Sequence, residues 1–176
     1  VLGMMLAIFS LTYILPIVTS LIYNDGVLAN FVWAMLITFF SGTLMWAVTR
    51  RYKGELTVRD GYLLVVVMWT AIPAFATLPL LMVLHNLSIT DAYFETMSGL
   101  TTTGATVLTG LDTMPQAINL WRHELNWLGG MGIIVLAVAI MPLLGIGGRQ
   151  LYKAETPGPM KDSSLTPRIT ETARNL

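Results

Sequence analysis

The run Thr101-Thr102-Thr103-Gly104-Ala105-Thr106 follows a short periodic stretch that begins at Asp91 and ends near Leu100. Threonines with a single glycine favour extended or irregular backbone. At membrane depth such backbone survives only where it is buried in protein or lines a water-filled cavity. Main-chain carbonyls converging there can replace the hydration shell of a bare cation. Gly104 reaches positive φ at little cost, and threonine hydroxyls can brace the strand or touch an ion. The carbonyls of Thr102 and Thr103 are therefore the expected ion ligands, with Thr101 and Gly104 beside them and Ala105, Thr106 and Glu95 in support. The plainer alternative is a Thr-rich surface loop.

This run sits inside Asp91 to Asp112, DAYFETMSGLTTTGATVLTGLD, between two long apolar stretches. Residues 91–100 are expected to form a helix, with N-cap oxygens offered by Thr90 and Asp91. Ten helical residues rise only about 15 Å, half of a bilayer core. Such a helix can enter a membrane and cannot cross it. Its C-terminal, partly negative end lies next to the threonines and favours a cation.

The elements around it are apolar. Of 176 residues, 55% are hydrophobic and 11% charged, against about 25% charged in a soluble domain. The fold class expected is all-α and transmembrane. Val1–Tyr23 and Val27–Thr49 carry no charge except Asp25 in the turn between them, and they form an antiparallel pair with Pro16 as a kink. Residues 61–84, with Pro73 and Pro79, form a third span, and residues 115–145 a fourth. The segments expected are a helix pair (1–49), a loop (50–60), a unit of span, half-helix, irregular Thr-rich run (101–106) and span (61–148), and a polar segment (149–176); the resemblance given below makes the first a leading pair and the unit a pore repeat with 101–106 as its filter. The first residue is Val1, and Ile169–Leu176 reads as the start of a further element, so a piece of a longer chain is expected.

Orientation follows from basic residues, which favour the cytoplasmic side. Arg50, Arg51, Lys53 and Arg59 precede the third span; Arg149, Lys153, Lys161, Arg168 and Arg174 follow the fourth; only Arg122 falls on the other side. Four crossings satisfy nine of the ten basic residues, which places the N-terminus inside and lets residues 91–112 dip in from outside. The outer side then holds Asp25, Asp91, Glu95, Asp112 and Glu124, an acidic vestibule able to concentrate cations. Glu95 is read as a tether behind the filter, with Arg122 as a conceivable partner. The five tryptophans, Trp33, Trp46, Trp69, Trp121 and Trp127, are expected mostly as bilayer anchors.

Several function classes fall away. The net charge is zero, which offers nucleic acid no basic patch, and the absence of cysteine excludes disulfides and thiolate metal sites. His85 and His123 lack a third ligand at metal spacing, so no histidine metal site is expected. An intramembrane enzyme needs a nucleophile with His or paired Asp within the spans, and none is placed there. A structural membrane subunit without an ion path is the remaining alternative.

The stretch Ser98-Gly99-Leu100-Thr101-Thr102-Thr103-Gly104-Ala105-Thr106 resembles the first filter of TrkH-type potassium uptake proteins, within the wider Trk/Ktr/HKT superfamily. Trp127-Leu128-Gly129-Gly130-Met131-Gly132-Ile133-Ile134 is similar to the pore helix that follows. Arg149-Gln150-Leu151-Tyr152-Lys153-Ala154-Glu155, Pro157-Gly158-Pro159 and Pro167-Arg168-Ile169 are similar to its cytoplasmic continuation. The resemblance implies a pseudo-fourfold, potassium channel-like fold of four helix–pore-loop–helix repeats after an optional helix pair, of which the first repeat is present here. It implies that Gly104 is a filter glycine and that Thr102 and Thr103 contact potassium, the transported ion, with no organic cofactor. It also implies a bacterial inner-membrane protein that dimerises and works with a cytoplasmic, nucleotide-binding TrkA-type subunit. Tetrameric potassium channels carry a longer TVGYG-like filter; TTTGA is shorter, which predicts looser selection of potassium over sodium.

Overall fold

The computed structural model describes residues 1–50 and 58–135. Most of the expected 50–60 loop, the end of the fourth span and the 149–176 segment lie outside the described residues. The chain divides into two compact units, Val1–Trp127 and Leu128–Leu176. Everything described below belongs to the first; of the second, the described residues are the last turns of one helix. Every regular element among the described residues is helical, with no strand among them.

Helices α1 (Leu2–Phe9) and α2 (Ile14–Tyr23) form one span, joined by a 3-10 turn over Ser10–Tyr13. That turn lies just ahead of Pro16, whose missing N–H leaves the Thr12 carbonyl without its helical donor. Helix α2 ends at Asn24, which adopts the left-handed conformation at φ 49. The chain turns back into α3 (Leu28–Thr49). Two glycines bring α1 and α3 into backbone contact. A Cβ on Gly42 would lie 2.7 Å from the Gly3 carbonyl oxygen and the Ala7 amide, and one on Gly3 would lie 2.6 Å from the Gly42 carbonyl. Apolar helices in lipid gain little by hiding surface from each other, so such close approach is what holds them together.

The third span is broken in two. Helix α4 (Val58–Ala76) stops at Thr77 and α5 (Leu78–Val83) continues it. Pro79 has no N–H to donate to the Phe75 carbonyl, and the Tyr13 hydroxyl donates to that oxygen instead, at 2.9 Å. The neighbouring Ala76 carbonyl accepts the Trp121 indole N–H at 3.1 Å. Buried Tyr and Trp thus spend their polar ends on the carbonyls around a proline break. Their rings stack at 4.5 Å between centroids, with Phe9 and Phe31 closing the cluster. Trp121 is fully buried, which corrects the expectation of a bilayer anchor; Trp33 and Trp127 are exposed and fit that role.

Helices α6 (Ile89–Leu100) and α7 (Gln116–Val135) complete the fold. The apolar runs Leu2–Tyr23, Leu28–Thr49 and Asp60–Val83 are each long and apolar enough to cross a membrane.

Candidate functional site

Helix α6 is short, and it starts two residues earlier than the helix expected over 91–100. Its cap is Ser88, whose hydroxyl accepts from the Asp91 amide at 3.0 Å, so Thr90 and Asp91 lie inside the first turn. Twelve residues rise about 18 Å, still well short of a bilayer core. The helix lies against α4 at its proline: the Thr96 hydroxyl donates to the Pro73 carbonyl at 3.0 Å. Gly99 lets it approach α7, since a Cβ there would come within 3.2 Å of Leu125 Cβ.

The helix end is a Schellman turn. The Thr102 amide donates to the Gly99 carbonyl and the Thr103 amide to that of Ser98, each at 2.9 Å. This motif places its C′ residue in the left-handed region, a position that glycine usually fills. Here Thr102 fills it at φ 56, and Gly104 follows at φ 74. A β-branched residue with positive φ is rare and strained. The amides of Thr102 and Thr103 are thereby turned back towards α6. Among the described residues, no hydrogen bond ends on the carbonyl oxygens of Thr101, Thr102, Thr103 or Gly104.

Beyond Gly104 the chain reverses and runs back beside α6. The Ser98 hydroxyl donates to the Ala105 carbonyl at 2.7 Å. Glu95, on the second turn of α6, accepts from the Thr106 hydroxyl at 3.0 Å, from the Val107 amide at 3.1 Å and from Arg122 Nε at 2.7 Å. The Glu95 side chain is 4% exposed and that of Arg122 16%. One carboxylate therefore ties half-helix, returning strand and α7 together, and Glu95 and Arg122 are paired as the sequence suggested. The Thr101 and Thr103 hydroxyls lie 2.8 Å apart.

Sequence reasoning misplaced part of the acidic vestibule. Glu95 and Glu124 are buried and face no aqueous mouth. Asp25 serves α7: its carboxylate accepts from the Ala117 amide at 3.0 Å and from the Val27 amide at 3.3 Å, and the Ser20 hydroxyl also donates to it. Burial pushes the Asp25 carboxyl up, but these donors together outweigh burial and leave it below its ordinary value. Asp112 stays exposed and borders a polar cleft of about 670 Å³ beside Gly104 and Thr106, lined from α7 by Gln116, Asn119, His123 and Asn126. Those four recur at helical spacing and could have been read from the sequence as a polar face on α7. No group of three or more metal-binding side chains occurs among the described residues.

The class defined by this geometry is an all-helical membrane protein in which a half-length helix ends in a strained, carbonyl-bearing loop and returns. Comparison with known proteins makes the class specific. The family model "TrkH: Cation transport protein" matches residues 27–176, and the chain belongs to that family of transport proteins. It is 52% identical over its whole length to the Trk system potassium uptake protein TrkH of Vibrio parahaemolyticus serotype O3:K6, covering 36% of that protein. It is 50% identical to the protein of the same name from Escherichia coli K12, covering 37% of it. The crystal structure of the potassium transporter TrkH from Vibrio parahaemolyticus matches 98% of this chain with a TM-score of 0.78 at 47% identity, covering 34% of the solved chain. The chain thus spans little more than a third of the length of these relatives.

Proposed function

We propose that this chain contributes to potassium uptake across a bacterial inner membrane, and that residues 101–106 form one wall of the selectivity filter. Thr102 and Thr103 present carbonyl oxygens to the ion, with Thr101 and Gly104 adjacent. Ala105, Thr106 and Glu95 hold the returning strand from behind. The observation that carries this reading is the pair of left-handed residues, Thr102 and Gly104, enclosing a carbonyl row that no donor among the described residues uses. Backbone strain of this kind persists where surrounding structure enforces it, and it clusters at functional positions. The names of the relatives supply the ion.

On this reading residues 1–49 are a leading pair and 61–148 the first of four pore repeats, with 50–60 and 149–176 and the N-terminus in the cytoplasm. Three further repeats complete the pore around one axis. The polar face of α7 then meets water or another repeat rather than lipid. A second copy of the protein and a TrkA-type nucleotide-binding subunit complete the uptake system.

The test is Gly104→Ala in the complete transporter, expressed in bacteria that lack other potassium uptake. A Cβ there meets nothing within 4 Å, so the change alters backbone preference without a clash. Growth at low potassium and rubidium uptake are expected to collapse while membrane insertion persists. Undiminished uptake would leave the structural-subunit reading in place.

A further inference from the structure

Glu124 is a second buried carboxyl on α7, and nothing above employs it. It is 8% exposed, its Oε2 is fully enclosed, and that oxygen accepts no hydrogen bond. Helical spacing places it on the face of Ala117 and Trp121, both fully buried, where Trp121 meets Phe9, Tyr13 and Phe31.

The charged and titratable groups of the surrounding elements are few. Helices α1 and α2 with their connecting turn bring only Tyr13 and Tyr23, and α3 and α5 bring none; the turn between α2 and α3 brings Asp25, which is committed to the Ala117 amide at the start of α7, and His85 follows the end of α5. Arg59, Asp60 and Tyr62 lie in the first turns of α4, far along it from the Thr77 break. On α6, Asp91 takes the Ser88 hydroxyl, Glu95 takes Arg122, and Tyr93 donates to the Thr70 carbonyl. On α7 itself, Arg122 is committed to Glu95, and His123 is exposed with its ring nitrogen 2.6 Å from the Asn119 carbonyl.

A carboxylate enclosed without donor or counter-ion is costly, and such groups take up a proton instead. We propose that Glu124 is a proton-binding site within the helical bundle, occupied at neutral pH and emptied on alkalinisation. Emptying it draws water towards the aromatic face. That loosens α7, two residues from the Arg122 that clamps the filter strand. Proton occupancy of Glu124 therefore gates uptake. This last link rests on the function proposed above; the proton site does not.

Two measurements separate these links. Infrared titration of the purified, lipid-reconstituted protein reads the site directly, whether or not it transports. Expected is a carboxylic-acid carbonyl band at neutral pH that fades on alkalinisation and is absent in Glu124→Gln. A wild-type spectrum indistinguishable from that of Glu124→Gln at neutral pH overturns the proposal, because Glu124 is then ionised. Rubidium uptake into vesicles of the same lipid reads the consequence. Wild-type uptake should fall about tenfold per pH unit above its midpoint, the slope of one titrating proton. Glu124→Gln, which keeps the shape of the neutral acid, should stay active and lose that slope. An unchanged pH profile in Glu124→Gln overturns the gating link.

Discussion

The sharpest quantitative consequence concerns Glu95→Gln. The carboxylate serves three donors with two oxygens: Arg122 Nε on Oε1, the Val107 amide on Oε2, and the Thr106 hydroxyl between them. A glutamine amide has one accepting oxygen. It can keep Arg122 or the Val107 amide, and its NH2 group then faces the other donor. The lost charge-assisted bond is worth about 1.5–3 kcal/mol. Arg122 is also left without counter-charge in a site where its side chain is 16% exposed, which takes the total towards the ~3–5 kcal/mol of a broken buried pair. Denaturation in mixed micelles, followed by tryptophan fluorescence, would measure the loss. Arg122→Gln should cost a comparable amount, and the double variant much less than the sum, with a coupling of about 2 kcal/mol. On the function proposed above, potassium over sodium selectivity of the complete transporter, read from bi-ionic reversal potentials, should fall in Glu95→Gln. A variant within about 0.5 kcal/mol of wild type, with additive singles, would refute the claim that this carboxylate holds the strand.

Thr102→Gly removes a Cβ from a left-handed residue and should stabilise the protein by about 1–2 kcal/mol in the same denaturation assay, while the loosened loop weakens selectivity. Asp25 carries a pH dependence. Its folded carboxyl lies below its ordinary value, so its contribution is complete above the unfolded value of about 3.9 and is lost as pH falls through the folded one. Thermal melts between pH 6 and pH 3 should show this loss, and Asp25→Asn should remove that part of the dependence. Tyr13→Phe leaves the Phe75 carbonyl beside Pro79 without its donor and should cost about 1–3 kcal/mol, measured by the same melts.

The spans were legible because uncharged runs of bilayer length admit few alternatives. The half-helix was legible because Ser98-Gly99 and the threonine run limit its length. Pairing of Glu95 with Arg122 could be suggested because few ionisable residues lie within these elements. What escaped depends on contacts between residues distant in sequence. Trp121 reads as an interfacial tryptophan until Pro79 is seen to break the third span next to it. Asp25 and Glu124 read as vestibule acids because hydropathy does not distinguish a carboxyl at a water interface from one turned inward. The left-handed turn at Thr102 was hidden by residue type, since a Schellman turn is normally announced by glycine and the glycine here stands two positions later.

The bond from Asp25 to the Ala117 amide also bears on the order of assembly. The acceptor is synthesised 92 residues before its donor. The hairpin of α1, α2 and α3 can enter the bilayer early, but the carboxylate at its tip stays unfastened until the start of α7 has been made and delivered to the same face. A ribosome-bound chain stalled short of Ala117 would thus hold a hairpin with an open latch, and closure would report that the segment between them had threaded in and out correctly.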